Sequence, residues 1–202
     1  MSTRMDEAEA FFAESTKGHK MEVARNGGLY RHLKFRGERH TYWFDLVTWP
    51  GVLTITGDCG TFVFTRLPDM FAFFRGPTIN TSYWAEKVIA EDRVDGVKEF
   101  SRDKFVDAVL CAMASWEGLD DPAELPKKLY DRLKKEAEGW SDEGKHEALR
   151  RAYEYTDDEG MHPFQDFWEY TVDDYTVQFL WCLHAIRWGI EQYDNHKKGE
   201  VS

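Results

Sequence analysis

Arg31 and Asp45 are the polar pair best placed to do chemistry. If residues 29–36 and 41–48 are strands joined at Gly37-Glu38-Arg39, Arg31 falls opposite Asp45, with Thr56 and Thr61 on the same sheet face. A carboxylate among threonine hydroxyls and tryptophan rings has a raised pKa and can act as a base. The pair equally fits a plain cross-strand ion pair beneath a covering helix. One reading is therefore an enzyme or nucleotide binder with its site on the Arg31/Asp45/Thr56/Thr61 face.

The remaining reactive side chains point less clearly to catalysis. On the same register His32 faces the apolar side of the sheet, and His184 lies between Trp181 and Trp188. Both fit hydrogen-bonded core histidines. Cys59 occupies a turn, where Asp58 would raise its thiol pKa and the flanking glycines serve the backbone. The chain has no HExxH, paired CxxC, GxGxxG, Walker loop or GxSxG, so neither a metal nor a cofactor is expected.

Charge offers a second kind of site. Residues 152–186 contain no Lys or Arg but carry Glu154, Asp157, Asp158, Glu159, Asp166, Glu169, Asp173 and Asp174. Tyr153, Tyr155, Phe164, Phe167, Trp168, Tyr170 and Tyr175 are interleaved with them. Displayed outward, such a segment can dock on a basic groove, rings as anchors and carboxylates as steering charges. The expected partner-binding residues are Glu154, Asp157, Asp158, Glu159, Trp168, Glu169, Asp173 and Asp174. The same pattern fits a solvated helix face. Basic residues crowd elsewhere, at Arg25, Arg31, Lys34, Arg36 and Arg39, and at Lys127, Lys128, Arg132, Lys134 and Lys135. Because the net charge of the chain is −11, direct binding of nucleic acid is not expected.

These residues must be positioned by a sheet and a set of helices. Ala8, Phe11 and Phe12 mark a helix over Asp6 to Lys17. Strands follow at 29–36, 41–48, 52–57 and 60–65, with turns at Pro50-Gly51 and Asp58-Cys59. Pairing places Leu46 opposite Ile55, Ile55 opposite Phe62 and Leu53 opposite Phe64. The apolar face then holds Tyr30, His32, Tyr42, Phe44, Leu46, Leu53, Ile55, Phe62 and Phe64. A one-residue slip would exchange the faces. Further helices are expected after Pro68, after Ser82, after Ser101, after Asp121, over 142–155 and over 175–194. The last is apolar on two sides, as a central helix is. The fold class is α+β: an N-terminal four-stranded antiparallel meander packed against about six helices, in one domain of 202 residues with a sheet-containing half to residue 100 and a helical half beyond. The polar start, the lack of a run approaching about 20 apolar residues and the three scattered cysteines predict a cytoplasmic protein without a membrane partner.

The segment Tyr42 to Phe74, with Ile79-Asn80 and Tyr83-Trp84-Ala85-Glu86-Lys87, resembles a family of small proteins encoded by bacteriophages and prophages. Leu29-Tyr30-Arg31-His32-Leu33 and Gly96-Val97-Lys98-Glu99-Phe100 are similar to it too. The resemblance implies a phage setting inside a host cell and supplies no catalytic residue. With the acidic segment it favours an accessory binding protein, an inhibitor of a host nucleic-acid-handling defence complex of the anti-CRISPR kind, over an enzyme. Its expected partner is a host protein with a basic surface.

Overall fold

The computed structural model describes residues 3–200. The chain forms two compact units, one of Met1–Lys98 with Tyr175–Ser202, the other of Glu99–Asp174. The fold is α+β.

In the first unit, helix α1 (Arg4–Ser15) begins in a capping box: Thr3 accepts from the Asp6 N–H and the Asp6 carboxylate accepts from the Thr3 N–H. Strands β1 (Lys20–Gly27), β2 (Tyr30–Arg36), β3 (Phe44–Trp49), β4 (Val52–Gly57), β5 (Gly60–Thr65) and β6 (Val88–Ala90) form one antiparallel sheet in chain order. The short helices α2 (Met70–Phe74) and α3 (Thr81–Ala85) lie between β5 and β6, capped by Asp69 and Asn80. The long helix α7 (Val177–Glu200) supplies the other half of the core. Its Phe179, Trp181, Leu183, Ile186 and Ile190 are buried with Leu33, Phe35, Phe44, Leu46, Leu53, Ile55, Phe62 and Phe64 of the sheet. A helix apolar on two sides is central here because α1 and the sheet both pack on it.

The second unit contains α4 (Arg102–Trp116), α5 (Lys127–Ser141) and α6 (Lys145–Glu154). Its core is built from Phe105, Val109, Met113, Leu133, Ala137, Ala148, Phe164 and Phe167. Ser101 caps α4 by accepting from the Lys104 N–H. Asp121 caps only a short 3-10 turn, because Pro126 separates Leu125 from α5. The chain leaves the first unit through β7 (Lys98–Phe100) and returns through β8 (Asp173–Tyr175), which pair as a two-stranded ribbon.

The sheet has six strands rather than four, and the described residues hold seven α-helices. β1 escapes a search for apolar alternation because it is an edge strand with only Met21 and Val23 half-buried, and β6 is three residues long. The registers of β3 with β4 and of β4 with β5 agree with expectation: Leu46 faces Ile55, Ile55 faces Phe62 and Leu53 faces Phe64. That of β2 with β3 does not. The connection runs from Gly37 to Trp43 and holds His40 and Tyr42 at φ +54 and +56. Arg31 therefore pairs with Thr48, and Lys34 with Asp45. A shift by an odd number of residues turns β2 over. Arg31, Leu33 and Phe35 face the core, while Tyr30 and His32 face away from it.

Candidate functional site

The exchange of faces takes Arg31 away from Asp45. Arg31 instead lies over the Phe71 ring, 4.5 Å from its centroid, and 5.6 Å from that of Tyr193. Its Nη1 and Nη2 donate to Asp69 Oδ1 and Oδ2 at 2.8 and 3.2 Å. Burial works against this guanidinium charge, but Asp69 and Tyr193 outweigh it and raise the Arg31 pKa. Burial likewise opposes the Asp69 charge, yet Arg31 and the Phe71 N–H bring that carboxyl below its ordinary value. The cluster locks α2 to β2 and is structural.

Asp45 stays on the outer face and gains other partners. His32 Nε2 lies 2.6 Å from Asp45 Oδ2, and Arg36 Nη2 lies 2.6 Å from Asp45 Oδ1. Arg36 also donates to the carbonyls of Phe35 and Phe44, both at 2.9 Å, and stacks 4.6 Å from the Trp43 ring centroid. Thr56 and Thr61 share a hydrogen bond of 2.8 Å. Of the expected Arg31/Asp45/Thr56/Thr61 constellation, three members thus share a face and the fourth does not. In a His–carboxylate pair the Nε2–H donates and Nδ1 keeps its lone pair, the arrangement of a general base. Among the described residues no hydroxyl or thiol is hydrogen-bonded to His32, so the pair has no nucleophile to activate.

The thiols are not activated either. Burial first, then Asp58 and Asp95, pushes Cys59 up to about 12. Cys182 is fully buried and also raised, and its thiol donates to the Cys59 carbonyl at 3.4 Å. Among the described residues no group of three His, Cys, Asp or Glu side chains could hold a metal ion, and no helix is long and apolar enough to cross a membrane.

A cavity of about 580 Å³ opens between the end of α1 and the β2–β3 loop. Phe11 and Tyr42 meet edge-on there at 5.3 Å, and the His19 Nε2–H donates to the Tyr42 carbonyl at 3.1 Å. Lys17 and Arg39 are balanced by Glu14 and Glu38 on the same wall. The cavity therefore selects no sign of ligand charge.

In the second unit, the acidic segment divides into rings that pack and rings that do not. Phe164 and Phe167 are buried, and Tyr155 and Tyr170 lean on them. Tyr153 and Trp168 are 59% and 67% exposed. Most carboxylates are already engaged within the unit. Glu154 pairs with Arg150 at 2.6 Å, Asp158 with Arg132 at 3.3 Å, Asp173 with Lys145 at 2.6 Å and Asp174 with Lys104 at 3.0 Å. Asp157 accepts from the Glu159 and Met161 N–H groups and shapes its own loop. Glu159, Asp166 and Glu169 are exposed on either side of Trp168 in the chain. An apolar groove on α6 is formed by Leu149 and Tyr153 and edged by Arg150 and Glu154. Its sequence signal is the four-residue spacing of Leu149 and Tyr153 on one helix face.

Division into units also redistributes the charge. Glu99–Asp174 holds 21 acidic and 10 basic residues, a net −11, whereas the rest of the chain holds 16 of each. The acidity of the whole protein is that of one unit. In comparisons with known proteins, no family, no curated protein and no solved structure matches this chain.

Proposed function

We propose that this chain is a binding protein whose second unit docks on a basic protein surface, of the kind that otherwise holds nucleic acid. The observation that carries this reading is the confinement of the net −11 to Glu99–Asp174. Internal ion pairs cannot neutralise a unit with twice as many acids as bases, so its field extends outward and speeds encounter with a cationic groove. Exposed Trp168 and Tyr153 supply the large rings that anchor such interfaces. The phage resemblance fits an inhibitor of a host nucleic-acid-handling defence complex.

With Asp158, Asp173 and Asp174 paired to the unit's own bases, the exposed Glu159, Asp166 and Glu169 supply the local steering charge and Trp168 the anchor. The test is capture from a host lysate by the wild-type chain and by two variants, Trp168→Ala and the triple replacement of Glu159, Asp166 and Glu169 by Lys. The expected result is a basic protein retained by the wild type, released by salt or by competing nucleic acid, and lost by both variants while their circular dichroism is unchanged. Equal capture by wild type and triple variant would remove the reading.

A further inference from the structure

The outer face of the β2–β3 ladder is the most unusual surface of the first unit. Continuing the observed register places Tyr30 opposite Trp49 at one end and Arg36 opposite Trp43 at the other, with His32 opposite Val47 and Lys34 opposite Asp45 between them. Every side chain of this face except Asp45 is half-buried or exposed, and Tyr30 and Trp49 are 48% and 42% exposed. Large rings left on an open sheet face lose the burial that most aromatics gain on folding. The neighbouring edge strand adds cations. A bulge between Val23 and Arg25 shifts the register of β1, and Arg25 stacks 5.4 Å from the Tyr30 centroid. Lys20 lies beside Arg36, and Lys34 makes an exposed pair with Glu22 at 3.4 Å.

We infer that this face binds single-stranded nucleic acid, with bases stacked on Tyr30 and Trp49 and phosphates held by Lys20, Arg25 and Lys34. Three features of the surface support such binding. The surface is a sheet face, and from Tyr30 to Arg36 it runs about 20 Å, long enough for the two or three bases that such platforms stack. A mononucleotide would instead need an enclosing pocket. Arg25 lies against the Tyr30 ring, and Lys34 and Lys20 carry the line of cations on along β2 and β1 toward Arg36, as a backbone tracking the edge requires. Asp45, the central acid of this face, is already held by the Arg36 guanidinium at 2.6 Å and hydrogen-bonded to His32 at 2.6 Å.

The overall charge of the chain does not oppose this binding as it would if spread evenly. The net −11 belongs to Glu99–Asp174, and the unit carrying this face is neutral.

The test is fluorescence anisotropy of the full chain with labelled single-stranded DNA and RNA of about ten nucleotides, with the corresponding duplexes as controls. Binding of the single strand is expected in the micromolar range at low salt, weakening as salt rises. Tyr30→Ala and Trp49→Ala should each weaken it about tenfold. Trp49→Phe should restore most of the loss, because every base stacks on any aromatic face. Arg25→Glu should weaken binding of all sequences alike. Trp168→Ala should leave binding unchanged, which separates this surface from the acidic unit. No binding of single strands up to about 300 µM at low salt, tighter binding of duplex, or equal binding by wild type and Trp49→Ala would each overturn the inference.

Discussion

His184 sits between α7 and α1, stacked on Phe12 at 6.1 Å, with its Nε2 buried and without a hydrogen-bond partner. Burial lowers its pKa below the usual 6.5; nearby Glu9 opposes this and Arg187 adds to it. The unfolded chain therefore takes up a proton more readily than the folded one. The contribution of this neutral imidazole to stability is complete above about pH 6.5 and is lost as pH falls from there through the folded value. Thermal unfolding between pH 7.5 and 5.5 should show a falling midpoint, and His184→Gln should fall less over the same interval. A parallel loss in both proteins would assign the effect to other groups. The burial of His184 was legible because Trp181 and Trp188 flank it on one helix face, but the expected hydrogen bonding does not extend to its Nε2. The partners of Asp45 were not legible, since His32 reaches it only after β2 turns over.

At the scale of elements, α7 and the sheet approach each other closely at Gly189. A Cβ placed at Gly189 would come within 2.7 Å of Leu46 Cδ1 and 3.0 Å of Phe35 Cζ. Helix propensity alone would favour almost any residue over glycine here, by up to about 1 kcal/mol. Packing decides the other way: Gly189→Val should destabilise by about 1–3 kcal/mol, the usual cost of overfilling a core. Urea unfolding should show a lower midpoint with an unchanged slope. The central strands were readable from Pro50-Gly51 and Asp58-Cys59, because two-residue turns leave one register. The first hairpin was not, because a seven-residue connection from Gly37 to Trp43 admits several, and positive φ at His40 and Tyr42 is not written in those residue types.

At the scale of the molecule, the charge partition has a mechanical consequence. The second unit carries 21 acids against 10 bases, so repulsion among its own residues works against compactness. Raising salt from about 0.05 to 0.5 M shortens the screening length severalfold and relieves that repulsion. Hydrogen exchange should slow in α4, α5 and α6 as salt rises, while β3, β4 and β5 of the neutral unit change little. Equal slowing in both would point to a general salt effect. The sequence by itself determined the α+β class, the three central strands, the central last helix, and the acidic segment and two basic clusters, because local periodicity and tight turns act over a few residues. Only the tertiary structure decided which face β2 presents, which carboxylates of the acidic segment are spent on the unit's own bases, and that the net charge belongs to one of two units. Those outcomes depend on residues far apart in the chain meeting in space, and pairing choices of that kind are set by the packing of the whole core.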